Sequence, residues 1–111
     1  MEKQFRLRKN YQFNYLYKNG KSVNDENLVV IFCKNKNDKP KVGFSVSKKY
    51  GKAVRRNKVR RRLREIVNQL YPELDKRYNY VFLPRIKQNE ATFSQLKESA
   101  QKLTFSIKGK S

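Results

Sequence analysis

The sequence predicts an α+β fold, a two-layer α/β sandwich with the element order α-β-β-(β)-α-β-α. Three segments repeat apolar residues at three- and four-residue spacing, which is the pattern of amphipathic helices. Between them lie short runs of β-branched and aromatic residues, bounded by turn-forming residues, which is the pattern of strands. A chain of 111 residues predicts one domain, 1–111, with short flexible ends at about 1–8 and 105–111.

The first helix is predicted between Asn10, a good N-cap residue, and Gly20, a good C-cap residue. Phe13, Leu16 and Tyr17 fall at i, i+3 and i+4, so they share one face. A role in the core is the simpler interpretation of this spacing. Exposed aromatics beside basic residues would instead suit stacking on the bases of single-stranded nucleic acid.

Strands are predicted at 28–33 (LVVIFC), 42–47 (VGFSVS) and 80–83 (YVFL). The segment between the first two, KNKNDKPK, has turn chemistry, so these two strands are predicted to form an antiparallel hairpin with a long loop. Pro84 ends the third strand. A further short strand is considered at Lys21–Asn24.

The longest helix is predicted at 54–71 and is ended by Pro72. Its buried stripe consists of Val59, Leu63, Ile66, Val67 and Leu70. The last helix is predicted to open at a capping box made by Thr92 and Gln95. Its apolar side consists of Phe93, Leu96, Ala100 and Leu103.

Composition predicts a polyanionic partner, because 28 basic residues against 9 acidic ones give a formal charge of +19. Self-repulsion predicts a marginal fold that bound anions stabilise. There is no apolar run of transmembrane length and no secretory h-region. The single cysteine, Cys33, is interpreted as a half-buried strand residue, and we expect a cytoplasmic protein.

The strongest local signal is the segment 48–64 (KKYGKAVRRNKVRRRLR), in which ten of seventeen residues are Lys or Arg and none is acidic. Like charges one turn apart repel each other on a helix. We therefore expect their counter-charges to lie on a partner, and a phosphate backbone is the commonest one. The helical period turns Asn57, Arg60, Arg61 and Arg64 outward, with Arg56 at their edge and Lys58 further round.

No catalytic residue is predicted. The chain contains no histidine, the commonest general base at neutral pH. The carboxylates are sparse, and the sequence has no metal-ligand spacing and no phosphate-binding Gly-rich loop. No metal site is expected in the protein.

The run GFSVSKKYGKAVRRNKVRRRLREIV resembles the signature segment of the bacterial ribonuclease P protein subunit, and so do LRKNYQFNYLYKNGKSV and the element order. The resemblance covers essentially the whole chain. It implies a protein that binds one large catalytic RNA, forming an endoribonuclease that removes the 5′ leader of precursor tRNA. The chemistry would belong to Mg²⁺ held mainly by the RNA, with no membrane and no required protein partner. It also implies a left-handed βαβ crossover, although general packing rules favour the right-handed form.

The same resemblance implies two groups of site residues. The family's motif at the catalytic RNA falls on Arg56, Asn57, Lys58, Arg60, Arg61 and Arg64. Its cleft for the single-stranded leader falls on Phe13, Tyr17, Ile31, Phe32, Lys48 and Lys49. Lys58 stands where the family usually has arginine, so the bidentate fork is lost there, and Ile31 stands where relatives often carry an aromatic residue.

Three other functions remain to be separated from this one. A ribosomal protein or general RNA chaperone would bind many RNAs alike. An autonomous nuclease would cut without an RNA partner. A membrane-surface protein would adsorb through its basic amphipathic helix, but this helix has no large aromatic anchor on its outward face.

Overall fold

The computed structural model describes residues 5–87 and 89–108. The elements follow the predicted order and include the additional strand that was considered, so the α+β prediction is confirmed. They are α1 (Asn10–Asn19), β1 (Lys21–Asn24), β2 (Leu28–Lys34), β3 (Val42–Phe44), α2 (Ala53–Leu70), β4 (Tyr78–Pro84) and α3 (Phe93–Lys108). Single turns of 3₁₀ helix at Lys48–Tyr50 and Tyr71–Glu73 flank α2.

The four strands form one sheet in the order β1-β2-β4-β3. The predicted hairpin between 28–33 and 42–47 is wrong, because β4 lies between β2 and β3, antiparallel to the first and parallel to the second. Buried side chains on both faces of β4 require a central position in the sheet. The hairpin of this fold is instead β1–β2, whose turn is fixed by Asp25 Oδ1, which accepts from the N–H groups of Asn27 and Leu28 at 2.9 and 3.0 Å.

The parallel pair β3 and β4 is connected through α2, which makes this unit the βαβ crossover. Its left-handed sense stays a prediction from the resemblance. The crossover sets the direction of α2 relative to the sheet. It therefore also determines which edge of α2 lies next to the N-terminal segment.

The two faces of the sheet are covered differently. Leu28 and Val30 of β2 and Phe82 of β4 point into a large core beneath α2 and α3, and all three are fully buried. The sheet and this helix pair are the two layers of the sandwich. On the opposite face α1 lies over a small hydrophobic cluster whose buried members, among the described residues, are Leu7, Leu16 and Val81.

The predicted apolar stripe of α2 is confirmed, since its five members are between 0% and 5% exposed. The capping box of α3 is also present: the Thr92 N–H donates to Gln95 Oε1 at 2.9 Å, and the Gln95 N–H donates to Thr92 Oγ1 at 3.2 Å. Local hydrogen-bonding patterns of this kind depend on residues three apart, so the sequence alone predicts them well.

Several boundaries differ from the prediction. The residue that caps α1 is Lys9 and not Asn10, because the Gln12 side chain accepts from the N–H groups of Arg8 and Lys9. β3 ends at Phe44, and Ser47 caps the following turn by accepting from the Lys49 N–H at 3.1 Å.

The predicted flexible ends at 1–8 and 105–111 extend too far into the chain. Leu7 is buried and donates its N–H to the carbonyl of Val42 at 2.9 Å. Residues 105–108 form the last turn of α3, where Ile107 is fully buried. The remaining parts of these predicted ends, 1–4 and 109–111, lie outside the described residues.

Within the described ranges, no helix combines the length and the apolar character needed to cross a membrane.

Candidate nucleic-acid interface

The basic residues of α2 lie on the sides of the helix that its apolar stripe leaves outside. Asn57, Lys58 and Arg61 are exposed, and Arg56, Arg60 and Arg64 are half-buried along one edge. Asn57 Oδ1 accepts a hydrogen bond from Arg60 Nη1 at 3.1 Å. Asn57 therefore orients a neighbouring guanidinium, a role that its spacing i−3 from Arg60 permits.

The other edge of α2 is partly neutralised by the protein itself. Arg55 Nη2 lies 3.8 Å from Glu90 Oε2, and the Arg55 guanidinium lies 5.6 Å from the centre of the Tyr50 ring. Burial, together with the charge of Glu90, raises the pKa of the Tyr50 hydroxyl, so it stays protonated and neutral. The Arg55 edge of α2 therefore makes contacts within the protein.

The edge that carries Arg60 and Arg64 opens instead into a cavity of about 450 Å³, which we call the arginine pocket. Arg6 and Arg8 of the N-terminal segment line it from the other side, and Phe13 and Phe44 contribute aromatic surface. Burial, followed by repulsion from Arg64 and Arg8, lowers the pKa of the Arg6 guanidinium. Four cations meet here, and none of the described residues that line the cavity is a carboxylate, which is the electrostatic arrangement of an anion site.

The sequence pattern did not indicate Arg6 and Arg8 as site residues, because they fall in the segment predicted to be a flexible end. The backbone of Arg6 bridges Val42 in parallel, which adds a short extension to the sheet beyond β3. Leu7 lies between the two arginines, is buried in the cluster with Leu16 and Val81, and also lines the cavity. The alternation of apolar and basic residues at 5–8 (FRLR) was the signal that could have indicated an ordered extended segment.

The half-buried arginines have donors in need of acceptors. In the described part of the chain, the Nε atoms of Arg56 and Arg64 are buried without a hydrogen-bond partner. A buried donor without an acceptor costs free energy, roughly 1–3 kcal/mol. A phosphate oxygen that reached either group would remove that cost and would gain a charge-assisted hydrogen bond.

Phe13 and Tyr17 lie together on the flank of α1 that faces the arginine pocket. Their ring centres are 6.4 Å apart, Tyr17 is 43% exposed, and Phe13 is half-buried. A Cβ added to Gly43 would lie 2.6 Å from Cε1 of Phe13, so the ring rests directly on the backbone of β3. The structure thus gives Phe13 a packing role while leaving it partly accessible, and it leaves Tyr17 exposed.

The two predicted strand residues separate, because successive residues of β2 point to opposite faces. Ile31 lies on the α1 face and packs beneath the end of α1. Phe32 is a correction to the predicted leader site: its side chain is 3% exposed, and its ring packs edge-on against Tyr78 at 5.2 Å in the α2–α3 core. Phe32 cannot share a stacking surface with Ile31.

Lys48 and Lys49 are both exposed on the turn that leads into α2. Neither lines the arginine pocket. The structure brings Phe13, Arg60 and Arg64 together around one cavity, while Arg61 and Lys58 lie on the exposed side of the same helix.

No group of three or more His, Cys, Asp or Glu side chains within residues 5–87 and 89–108 is arranged to hold a metal ion. The carboxylate of Asp75 is held by Arg77 at 2.7 Å, and the hydrogen bonds from Arg77 outweigh partial burial and lower the pKa of the carboxyl. This carboxylate therefore serves local structure.

The fold and its arginine-lined cavity define the chain as a small basic α+β protein with a surface suited to polyanions. The family model that matches is described as Ribonuclease P, and the match covers residues 1–108. A protein of Finegoldia magna named "Ribonuclease P protein component" is 42% identical over 100 residues, which is 90% of this chain and 87% of that protein.

Solved structures of ribonuclease P proteins are also similar to this chain. A Staphylococcus aureus ribonuclease P protein mutant, described as having defective mRNA degradation activity, superposes with a TM-score of 0.87 at 35% identity, over 97% of this chain and 92% of that one. The ribonuclease P protein from Thermotoga maritima gives a TM-score of 0.83 at 36% identity, over 92% and 96% of the two chains. The chain belongs to the ribonuclease P protein family, whose holoenzyme is an endoribonuclease of tRNA processing.

Proposed function

We propose that this chain binds the catalytic RNA of a cytoplasmic ribonuclease P and the 5′ leader of precursor tRNA, and so assists removal of the leader. The observation that supports this best is the contrast between the two edges of α2. One edge is paired with Glu90, whereas the other presents Arg60 and Arg64, with Arg6 and Arg8, to a cavity that has no carboxylate among its described lining residues.

The basic side of α2 is the proposed contact with the catalytic RNA. Arg56, Asn57, Lys58, Arg60, Arg61 and Arg64 form this group, and guanidinium groups bind phosphates through two parallel hydrogen bonds. Each phosphate contact releases counterions, so assembly should weaken steeply with salt. Asn57 holds Arg60 in position through its 3.1 Å hydrogen bond, which reduces the side-chain entropy lost on binding.

The leader is proposed to lie against Phe13 and Tyr17, with its phosphates near the arginine pocket. Aromatic faces stack on unpaired bases with little dependence on sequence, which suits leaders of different sequence. Mature tRNA lacks these nucleotides, so the contact distinguishes precursor from product. Ile31 provides apolar contact where stacking is not available.

The hydrolytic chemistry is assigned to Mg²⁺ bound mainly by the partner RNA. The described protein residues offer no cluster of carboxylates for such an ion, and Mg²⁺ is typically held by few carboxylates together with phosphate oxygens. The protein's own contribution is positioning and charge compensation.

The test is cleavage of 5′-labelled precursor tRNA at low Mg²⁺ by the protein alone, by the cognate catalytic RNA alone, and by both. We expect cleavage at the mature 5′ end only with both, or much faster with both. A double variant, Arg60→Ala with Arg64→Ala, should require more protein for the same rate, while Phe105→Ala, on exposed surface of α3, should not.

Two results would overturn the proposal. If the protein adds nothing to its RNA, a general RNA-binding role takes its place. If the protein cuts precursor tRNA alone, the assignment of the catalytic centre to the RNA is wrong.

A further inference from the structure

The flank of α1 that faces away from Phe13 and Tyr17 borders a second groove, of about 730 Å³. Tyr11 and Tyr15 lie along it and are 67% and 58% exposed, which makes them two of the most exposed large hydrophobic side chains of the described residues. Leu16, which points into the sheet, separates this groove from the leader-facing flank. The proposed leader site therefore does not account for these two aromatic residues.

The groove continues into a neighbouring cavity of about 340 Å³, because Tyr15 and Asn19 line both. The second cavity reaches Cys33 on β2. We call the two cavities together the tyrosine track. Its length along the flank of α1 suits an extended chain better than a compact small molecule.

The tyrosine track is strongly basic. Within residues 5–87 and 89–108, no Asp or Glu lines either cavity, and five lysines line the two together. They are Lys18, Lys36 and Lys41 around the first cavity and Lys21 and Lys34 around the second. A basic groove with aromatic faces along its floor matches the way proteins hold single-stranded nucleic acid.

The wall of the track is fixed before anything binds. Asn35 Nδ2 donates to the carbonyls of Lys76 and Tyr78 at 2.9 and 3.0 Å, which ties the loop after β2 to the start of β4. Asn79 Oδ1 accepts from the Lys41 N–H at 2.8 Å and holds the other end of that loop. A preformed groove loses less conformational entropy on binding than a mobile one.

We propose that the tyrosine track binds a second single-stranded RNA segment, separate from the leader, with bases stacked on Tyr11 and Tyr15 and phosphates held by the surrounding lysines. The two flanks of α1 then hold two RNA strands on opposite sides of one helix. Phe13 and Tyr17 line neither cavity of the track, and among the described lining residues the track shares only Leu7 with the arginine pocket, so this inference stands apart from the proposed leader site.

The first experiment measures the affinity of the full chain for fluorescein-labelled dodecauridylate by anisotropy. We expect Tyr11→Ala with Tyr15→Ala to weaken binding by about tenfold or more, since one aromatic–base stack is worth roughly a factor of 5 to 150. Tyr15→Phe keeps the ring and should bind like the parent. Phe105→Ala removes an aromatic that is 75% exposed on α3 and should also bind like the parent. Unchanged affinity in the double tyrosine variant would overturn the proposal.

The second experiment tests whether the RNA occupies the tyrosine track. Cys33 is the single cysteine and lines the track, so its alkylation by iodoacetamide reports on occupancy. Dodecauridylate should slow alkylation several-fold in the parent and in Tyr17→Ala, and should leave the rate unchanged in the double tyrosine variant. Equal rates with and without RNA in the parent would exclude the track as the binding site. Both assays use the free chain, so their failure leaves the cleavage of precursor tRNA as a separate question.

Discussion

The two faces of the sheet differ in how much apolar surface they bury. Beneath α2 and α3, residues such as Val59, Leu63 and Ile66 are fully buried and pack on the equally buried Phe82. Beneath α1 the hydrophobic cluster has three buried members among the described residues, and the rim exposes Tyr11, Tyr15 and Tyr17. The stabilising apolar burial is concentrated on one face, so the other can expose aromatic and basic groups without loss of the fold.

The same division appears across α2. Its inner stripe belongs to the core, its Arg55 edge is paired with Glu90, and its Arg60 edge faces Arg6 and Arg8 across a cavity with no carboxylate among its described lining residues. Unrelieved repulsion on that edge lowers stability in the free protein, and a bound polyanion would reverse it. Variants on the two sides should therefore separate stability from binding.

The largest effect is expected in the α2–α3 core. Leu63→Ala leaves a cavity at a fully buried position and should lower the free energy of unfolding by roughly 2–5 kcal/mol, measured by urea denaturation at fixed phosphate concentration. Val54→Ala, on the same helix but 79% exposed, should change it by less than about 0.5 kcal/mol. Similar losses in both variants would contradict the assignment of stability to this face.

A smaller effect is expected on the α1 face. Tyr17→Ala should weaken binding of precursor tRNA to the holoenzyme by about 1–3 kcal/mol, the value of one base stack, and should leave mature tRNA unaffected. Tyr17→Phe preserves the ring and is the matched control. Equal losses for the precursor and for mature tRNA would remove Tyr17 from the leader site.

The edges of α2 can be compared with one substitution each. Arg60→Ala should reduce the slope of log K against log salt for assembly with the catalytic RNA by roughly one unit, because one phosphate contact is lost. Arg55→Ala removes the same charge from the edge that Glu90 already neutralises and should change the slope less. If the two slopes fall equally, the unpaired edge has no special role.

The smallest effect is expected at Asp25, which links the β1–β2 turn to α3 through Lys102 at 3.1 Å. Burial by itself would raise the pKa of this carboxyl, but hydrogen bonds from Ser99, the Asn27 N–H and Lys102 outweigh it and lower the pKa. A carboxyl group with a lowered pKa stabilises the fold above its unfolded pKa of about 3.9 and ceases to do so as the pH falls through the folded value.

Asp25→Asn keeps an oxygen for the turn and loses the charge, so it should cost about 1 kcal/mol at neutral pH. The difference from the parent should shrink as the pH falls below about 4, as measured by urea denaturation at several pH values. A difference that does not depend on pH would mean that the charge of Asp25 is not responsible.

The accuracy of the predictions made from the sequence depended on how far apart in the chain the interacting residues lie. The stripe of α2 and the capping box of α3 rest on spacing within one helix, and both are present as predicted. The hairpin prediction failed because strand pairing depends on which strands are buried on both sides, a property of the whole sheet. Phe32 was misplaced for a related reason, since the face that a strand residue occupies follows from the register.

The sequence by itself determined the α+β class, the basic character of α2 and, through its long signature run, the family. Only the tertiary structure decided which basic side chains lie close enough together to form one site. The N-terminal extension beside β3 brings Arg6 and Arg8 to Arg60 and Arg64, more than fifty residues away in the chain. Local periodicity carries no information about such distant neighbours, because their approach is fixed by sheet order and by the packing of α1 across the sheet.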